Sequence, residues 1–137
     1  MLITTIASIK YMELTMIDFC ALRTLTSDLQ QVEEDLVDAY GLTIQQASVL
    51  CAVESGYGEP GALAFQMRLS PSRLTRLLDA LEKQGLVERT ASARDRRSVC
   101  ITLTAKGKEK LDVIHHGSVS LPSYIESMIS ARKEERG

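Results

Sequence analysis

The chain has no tryptophan, and aromatic residues make up only 4% of its 137 residues. A core must therefore be built from Leu, Val, Ile and Ala, which suits packed helices. No apolar run reaches the roughly 18 residues that cross a bilayer, so a membrane span is not expected. The first nine residues, Met1 to Ile9, are fairly apolar, but no basic start precedes them, and Lys10 and Glu13 interrupt the next stretch. A signal peptide is not expected, and Met12 is an alternative translation start. The three cysteines, Cys20, Cys51 and Cys100, form no CxxC pair, and an odd number does not make a disulfide framework. A reducing cytoplasm is the expected compartment. There is no internal repeat, low-complexity tract or Pro/Ser-rich linker, and no nucleophile motif, Gly-rich phosphate loop or supported carboxylate pair. The chain reads as a non-enzyme with no cofactor.

What is present is an ordinary globular balance, 45% hydrophobic and 25% charged, with a net charge of −2 that conceals an asymmetry. From Arg68 to Lys110 there are 11 basic and 5 acidic residues, a segment charge of +6, so the remainder carries −8. A basic middle inside an acidic frame is the footprint of a local anion-binding surface, although solvated charges clustered by chance give the same count.

Periodicity supplies the elements. Leu22, Leu25, Leu29, Val32, Leu36 and Ala39 step by three and four, one narrow apolar stripe on a long helix that Gly41 ends. That stripe suits either its own domain or a second chain. Thr43 with Gln46 reads as a capping box for a helix from Ile44 to Glu54 with Ala47, Leu50 and Cys51 inward. A Gly/Pro-rich loop leads to a short helix, Ala62 to Arg68. Ser70-Pro71 starts the next helix, to Gln84, with Leu74, Leu77, Leu78 and Leu81 on its apolar face. Leu86 to Thr90 and Val99 to Leu103 read as two strands around a polar turn, with Val99, Ile101 and Leu103 inward. Thr104 caps a helix to about His116, Gly117 and Pro122 break it, and a last helix runs from Ser123 to Lys133.

Two short helices, a tight turn and a hairpin describe a winged helix-turn-helix, mostly α with a small β-hairpin wing. On its second helix Arg76 points away from the leucine face, Ser72 shares that exposed side, and Arg73 and Thr75 flank it. Arg73 near a helix N-terminus works against the macrodipole by a few tenths of a kcal/mol. A helix that meets phosphates and guanine edges favours it. At the hairpin tip Arg94, Arg96 and Arg97 surround Asp95. Three guanidiniums in four residues repel one another unless an anion lies nearby, and a narrow minor groove is such a place. Asp95 is expected to pair with a neighbouring arginine and set its direction. A winged-helix module that meets an acidic protein partner is the alternative.

These residues also resemble a known family. Leu42-Thr43, Leu63-Ala64, Leu69-Ser70, Leu74 to Leu78, Leu81-Glu82-Lys83-Gln84-Gly85-Leu86-Val87-Glu88-Arg89, Asp95-Arg96-Arg97-Ser98 and Leu103-Thr104-Ala105-Lys106-Gly107 fall in order at the spacing of the bacterial MarR family of transcriptional regulators. The resemblance covers about Gly41 to Leu111. It implies one MarR-like domain over 1–137, with a winged-helix DNA-binding part at 43–104 and dimerisation helices at 13–40 and 105–135. It implies a homodimer on a pseudo-palindromic operator in double-stranded DNA, usually as a repressor, and release by a small aromatic or phenolic ligand. By position, Ser72, Arg73, Thr75 and Arg76 match the recognition-helix readers, Asp95 and Arg97 match the wing Asp-x-Arg, and Arg96 takes its variable middle position.

Two departures stand out. The segment before Ala62 is Gly/Pro-rich where the family carries a Ser or Thr cap, and the region after Gly107 is short, with an early break at Gly117. Cys20 lies where peroxide-sensing relatives place a reactive cysteine. Those relatives add a tyrosine one turn on, where this chain has Thr24. A buried, inert thiol is the competing reading of Cys20. His115 and His116 diverge by about 100° on a helix, which suits a shared metal poorly.

Overall fold

The computed structural model describes residues 16–92, 95 and 97–137. Among these, six helices and one hairpin follow in order: α1 (Phe19–Tyr40), α2 (Ile44–Glu54), α3 (Pro60–Met67), α4 (Pro71–Lys83), β1 (Val87–Ala91), β2 (Val99–Leu103), α5 (Ala105–His116) and α6 (Ser123–Arg136). The expected architecture, α-helical with a β-hairpin wing, is the one observed. The chain divides into two compact units, 1–30 and 31–137, with the boundary inside α1. No single helix among the described residues is long and apolar enough to cross a membrane.

The helix starts follow their capping chemistry. Gln46 N–H donates to Thr43 Oγ1 at 3.2 Å and Thr43 N–H donates to Gln46 Oε1 at 3.0 Å, the reciprocal box that satisfies two orphan donors of α2. Ser70 Oγ accepts the Arg73 N–H at 3.3 Å with Pro71 in the first turn of α4. The start of α3 differs from the expected Ala62. It begins at Pro60, with Glu59 as an N-cap that makes no side-chain cap bond. Proline at the first position presets the helical φ and has no N–H to satisfy, so the helix extends into the Gly/Pro segment.

The core lies between α2, α3, α4, the hairpin and α5. Leu42, Leu50, Leu63, Leu74, Leu81, Leu86, Ile101 and Leu111 are fully buried. Each such side chain removed from water stabilises by about 1.5–3 kcal/mol. On α2 the inward residues are Val49, Leu50 and Val53, whereas Ala47 and Cys51 are half-buried against a cleft. Apolar residues surround this helix on most sides, so spacing alone did not single out its buried face. The hairpin pairs antiparallel, Val87 with Leu103 through Ala91 with Val99. Ile101 is buried and Leu103 half-buried, but Val99 at the outer end of β2 is exposed, because the hairpin extends beyond the core there.

One clasp joins the hairpin base to α5. Thr104 Oγ1 accepts the Gly107 N–H at 3.0 Å and donates to the Gly85 carbonyl at 2.6 Å, while Thr104 N–H donates to the Leu86 carbonyl at 3.1 Å. Gly107 is buried directly against that Leu86 carbonyl, and a Cβ there would overlap it. The Thr-Ala-Lys-Gly run is therefore a cap and a close backbone contact in one.

Candidate nucleic-acid interface

The two elements of the expected interface adjoin, because β1 packs on α4. Leu74, Leu78 and Leu81 bury the inner face of α4. Ser72, Arg73, Thr75 and Arg76 are all exposed on the rest of the helix. Ser72 Oγ lies 3.3 Å from Ser70 Oγ, and the Thr75 hydroxyl donates to the Pro71 carbonyl at 2.9 Å, which leaves its lone pairs outward. The four side chains thus present two guanidiniums and two hydroxyls, a set able to bond phosphate oxygens and base edges.

The described part of the wing tip is a turn organised by Asp95. Its Oδ1 accepts the Arg97 backbone N–H at 2.9 Å, its Oδ2 accepts the Ser98 hydroxyl at 3.5 Å, and its carbonyl accepts the Ser98 N–H at 3.0 Å. Asp95 therefore sets the direction of Arg97 through the backbone, where a side-chain pair was the expectation. Ser92 N–H donates to the Ser98 carbonyl at 2.8 Å and closes the base of the turn. Arg97 is exposed, and Arg94 and Arg96 lie outside the described residues.

A residue with no expected role ties the wing to the helix. Arg89 of β1 donates to Asp79 Oδ1 and Glu82 Oε2 of α4, both at 2.7 Å. These are the ion pairs found among the described residues. The hydrogen bond to Asp79 is the chief cause that raises the Arg89 pKa above its ordinary value, while partial burial opposes it. The signal was legible in retrospect: Asp79 and Glu82 are one turn apart on α4, and Arg89 shares a strand face with buried Val87. The carboxylates are 61% and 45% exposed, so solvent screens the bridge. Arg89→Ala is expected to lower stability by about 1 kcal/mol at low salt and by less at 1 M salt, measured by urea denaturation. Arg89→Lys should recover only part of this, because an ammonium cannot fork to two carboxylates.

Behind the interface lies a cleft of about 540 Å³, lined by Leu36 of α1, Ala47, Cys51 and Ala52 of α2, Tyr57 and Ile114 among others. Cys51 Sγ lies 3.6 Å from His115 Nε2. Burial, and secondarily the Glu54 carboxylate, push the Cys51 thiol up, so it is not a ready thiolate. Cys20 is exposed, contrary to the expectation of an inert buried thiol, and its carbonyl accepts the Thr24 hydroxyl at 3.0 Å. Among the described residues no three His, Cys, Asp or Glu side chains gather to hold a metal.

Residues 42–99, from the approach to α2 to the first residue of β2, match the sequence profile of the MarR family. The chain belongs to the MarR family. Among relatives of this MarR-family chain is the HTH-type transcriptional repressor MdtR of Bacillus subtilis, 29% identical over 71% of this chain and 63% of that protein. The chain spans less than two thirds of the length of the first curated relatives it matches. A crystal structure of a MepR-like protein complexed with pseudoligands superposes with a TM-score of 0.69 at 29% identity, over 85% of this chain and 83% of that one. A cysteine-to-serine variant of Escherichia coli MarR complexed with operator DNA superposes with a TM-score of 0.56 at 29% identity, over 69% and 71% of the two chains.

Proposed function

We propose that the chain is a transcriptional regulator that binds a pseudo-palindromic operator as a homodimer, most simply as a repressor, and releases it on binding a small aromatic or phenolic ligand. In this reading α4 enters the major groove, where Arg76 reads a base and Ser72, Arg73 and Thr75 contact base edges and phosphates. The wing carries Arg97, with Arg94 and Arg96, to the adjacent minor groove, and Asp95 orients it. The observation that carries the reading is the exposed set Ser72, Arg73, Thr75 and Arg76 on a helix whose opposite face is locked into the core, beside an arginine-bearing wing. The operator complex of the related MarR supports the same docking for this chain.

Support for the dimer comes from apolar side chains left uncovered by one chain. Leu22 and Leu29 of the α1 stripe are 52% and 42% exposed, and Tyr124, Met128 and Ile129 of α6 are also exposed. Apolar faces on such terminal helices suit a two-fold, self-complementary interface. The cleft beside Cys51 has the size and apolar lining for an aromatic ring.

The test is selection of bound duplexes from a random pool by the purified full chain. A recovered palindrome with half-sites one helical turn apart, and log K falling by about six or more per log unit of salt, is the expected result. No enrichment, or binding indifferent to salt, overturns the reading and leaves the basic face to an acidic protein partner.

A further inference from the structure

Away from the DNA-facing side chains lies a second concentration of cations. Arg68, Arg132 and Arg136 line one cavity of about 710 Å³ together with Phe65 and Gln66. Arg68 closes α3, and Arg132 and Arg136 lie one turn apart on α6, so the three guanidiniums come from chain segments more than 60 residues apart. None of the three is in an ion pair among the described residues. Like charges at i and i+4 disfavour a helix, and convergence on a third arginine adds to that repulsion. A helix C-terminus welcomes Arg136 in the last turn, but that accounts for neither Arg132 nor Arg68. Arg68 also has φ 55, a left-handed cap position that usually takes glycine or asparagine. Phe65 stands 87% exposed at the same place.

This cationic cavity is continuous with the apolar cleft, because Gln66 and Arg136 line both. One end is therefore walled by Ala47, Ala52, Tyr57 and Ile114, and the other by three guanidiniums. A neutral phenol would leave those cations without a counter-charge. Inorganic phosphate would leave the apolar walls empty. We infer that the joined cavity binds an amphipathic organic anion, an aromatic body seated against α2 and α5 with a phosphate-like dianionic group on Arg68, Arg132 and Arg136. A planar guanidinium matches a phosphate edge through two parallel N–H bonds, and three of them balance a dianion. The inference deepens the regulator reading by naming the chemistry of its ligand. Arg68 precedes the Ser70 cap of α4 by two residues, so the bound anion would tie α6 to the turn that aims the recognition helix.

The experiment is a fluorescence and calorimetric titration of the full chain with 1-naphthyl phosphate, 1-naphthol and inorganic phosphate. The naphthyl phosphate should bind at least tenfold more tightly than either of the others. The double variant Arg132→Gln/Arg136→Gln, altered only at exposed positions, should lose at least tenfold in its affinity for naphthyl phosphate while its affinity for 1-naphthol holds. Equal affinity for 1-naphthol and naphthyl phosphate overturns the inference, as does a double variant that binds naphthyl phosphate like the parent. Inorganic phosphate that binds as tightly as the naphthyl ester removes the apolar half of the site and overturns it too. Operator binding measured without ligand keeps the two readings apart. Parent protein that selects a palindrome but binds no naphthyl phosphate refutes this inference alone, and protein that binds naphthyl phosphate but selects no DNA refutes the regulator reading alone. If the double variant weakens ligand-free operator binding and the parent binds no naphthyl phosphate, the arginines face DNA phosphates.

Discussion

Arg76→Ala is expected to weaken binding to the selected operator by about 1–3 kcal/mol per half-site, roughly 5- to 150-fold each. Because two protomers each insert one α4, the loss applies twice on a two-fold operator. The reason is differential. A guanidinium forked onto a guanine edge is worth most where the base is right, so its removal should narrow the gap between operator and scrambled DNA. Arg73→Ala should behave otherwise. Its backbone N–H caps onto Ser70 and its side chain stands in the first turn of α4, so it meets phosphate, and its loss should weaken all duplexes alike and reduce the salt slope by about one per protomer. Arg76 is exposed and Arg76→Ala removes no core contact, so thermal unfolding should shift by no more than about 0.5 kcal/mol. Titrations of both variants against operator and scrambled duplex, at two salt concentrations, decide the matter. Unchanged discrimination by Arg76→Ala would remove it from the base readers.

Gly107→Ala is expected to destabilise the protein by about 2 kcal/mol or more, against the helix preference that favours alanine over glycine by about 1 kcal/mol. The Cβ would enter the space of the Leu86 carbonyl, and that carbonyl is held by the Thr104 N–H at 3.1 Å. Backbone on both sides leaves no flexible side chain to yield. Relief requires α5 to move off the hairpin base, which breaks the Thr104 clasp and disturbs Leu111, fully buried on the same helix. Gly61→Ala is the matched control. Its Cβ would meet only Glu59 Oε1 at 3.8 Å, so it should be neutral or stabilise by up to about 1 kcal/mol. Urea midpoints of the two variants should therefore move in opposite directions. A stabilised Gly107→Ala would mean that α5 does not sit on Leu86.

The bearing of these two positions on sequence reading differs. Arg76 was legible because helical periodicity fixes which side faces away from Leu74 and Leu78, whatever the rest of the chain does. Thr43, Ser70 and Thr104 were legible because a cap is made within four residues. The buried face of α2 was not, since Ala47, Val49, Leu50, Cys51 and Val53 offer apolar side chains in nearly every direction. The exposure of Val99 also escaped, because alternation marks the two faces of a strand but not where the core beneath it ends.

The amino-acid order by itself determined the succession of helices, the hairpin, the capped starts and the outward placement of Ser72, Arg73, Thr75 and Arg76, because each depends on neighbours within one or two turns. Only the tertiary structure decided that Arg89 reaches Asp79 and Glu82, that Asp95 holds the backbone of Arg97, that Gly107 abuts Leu86, and that Arg68 shares a cavity with Arg132 and Arg136. Those contacts join residues by where separate elements pack, and no local periodicity encodes the distance between two elements once the chain has folded back on itself.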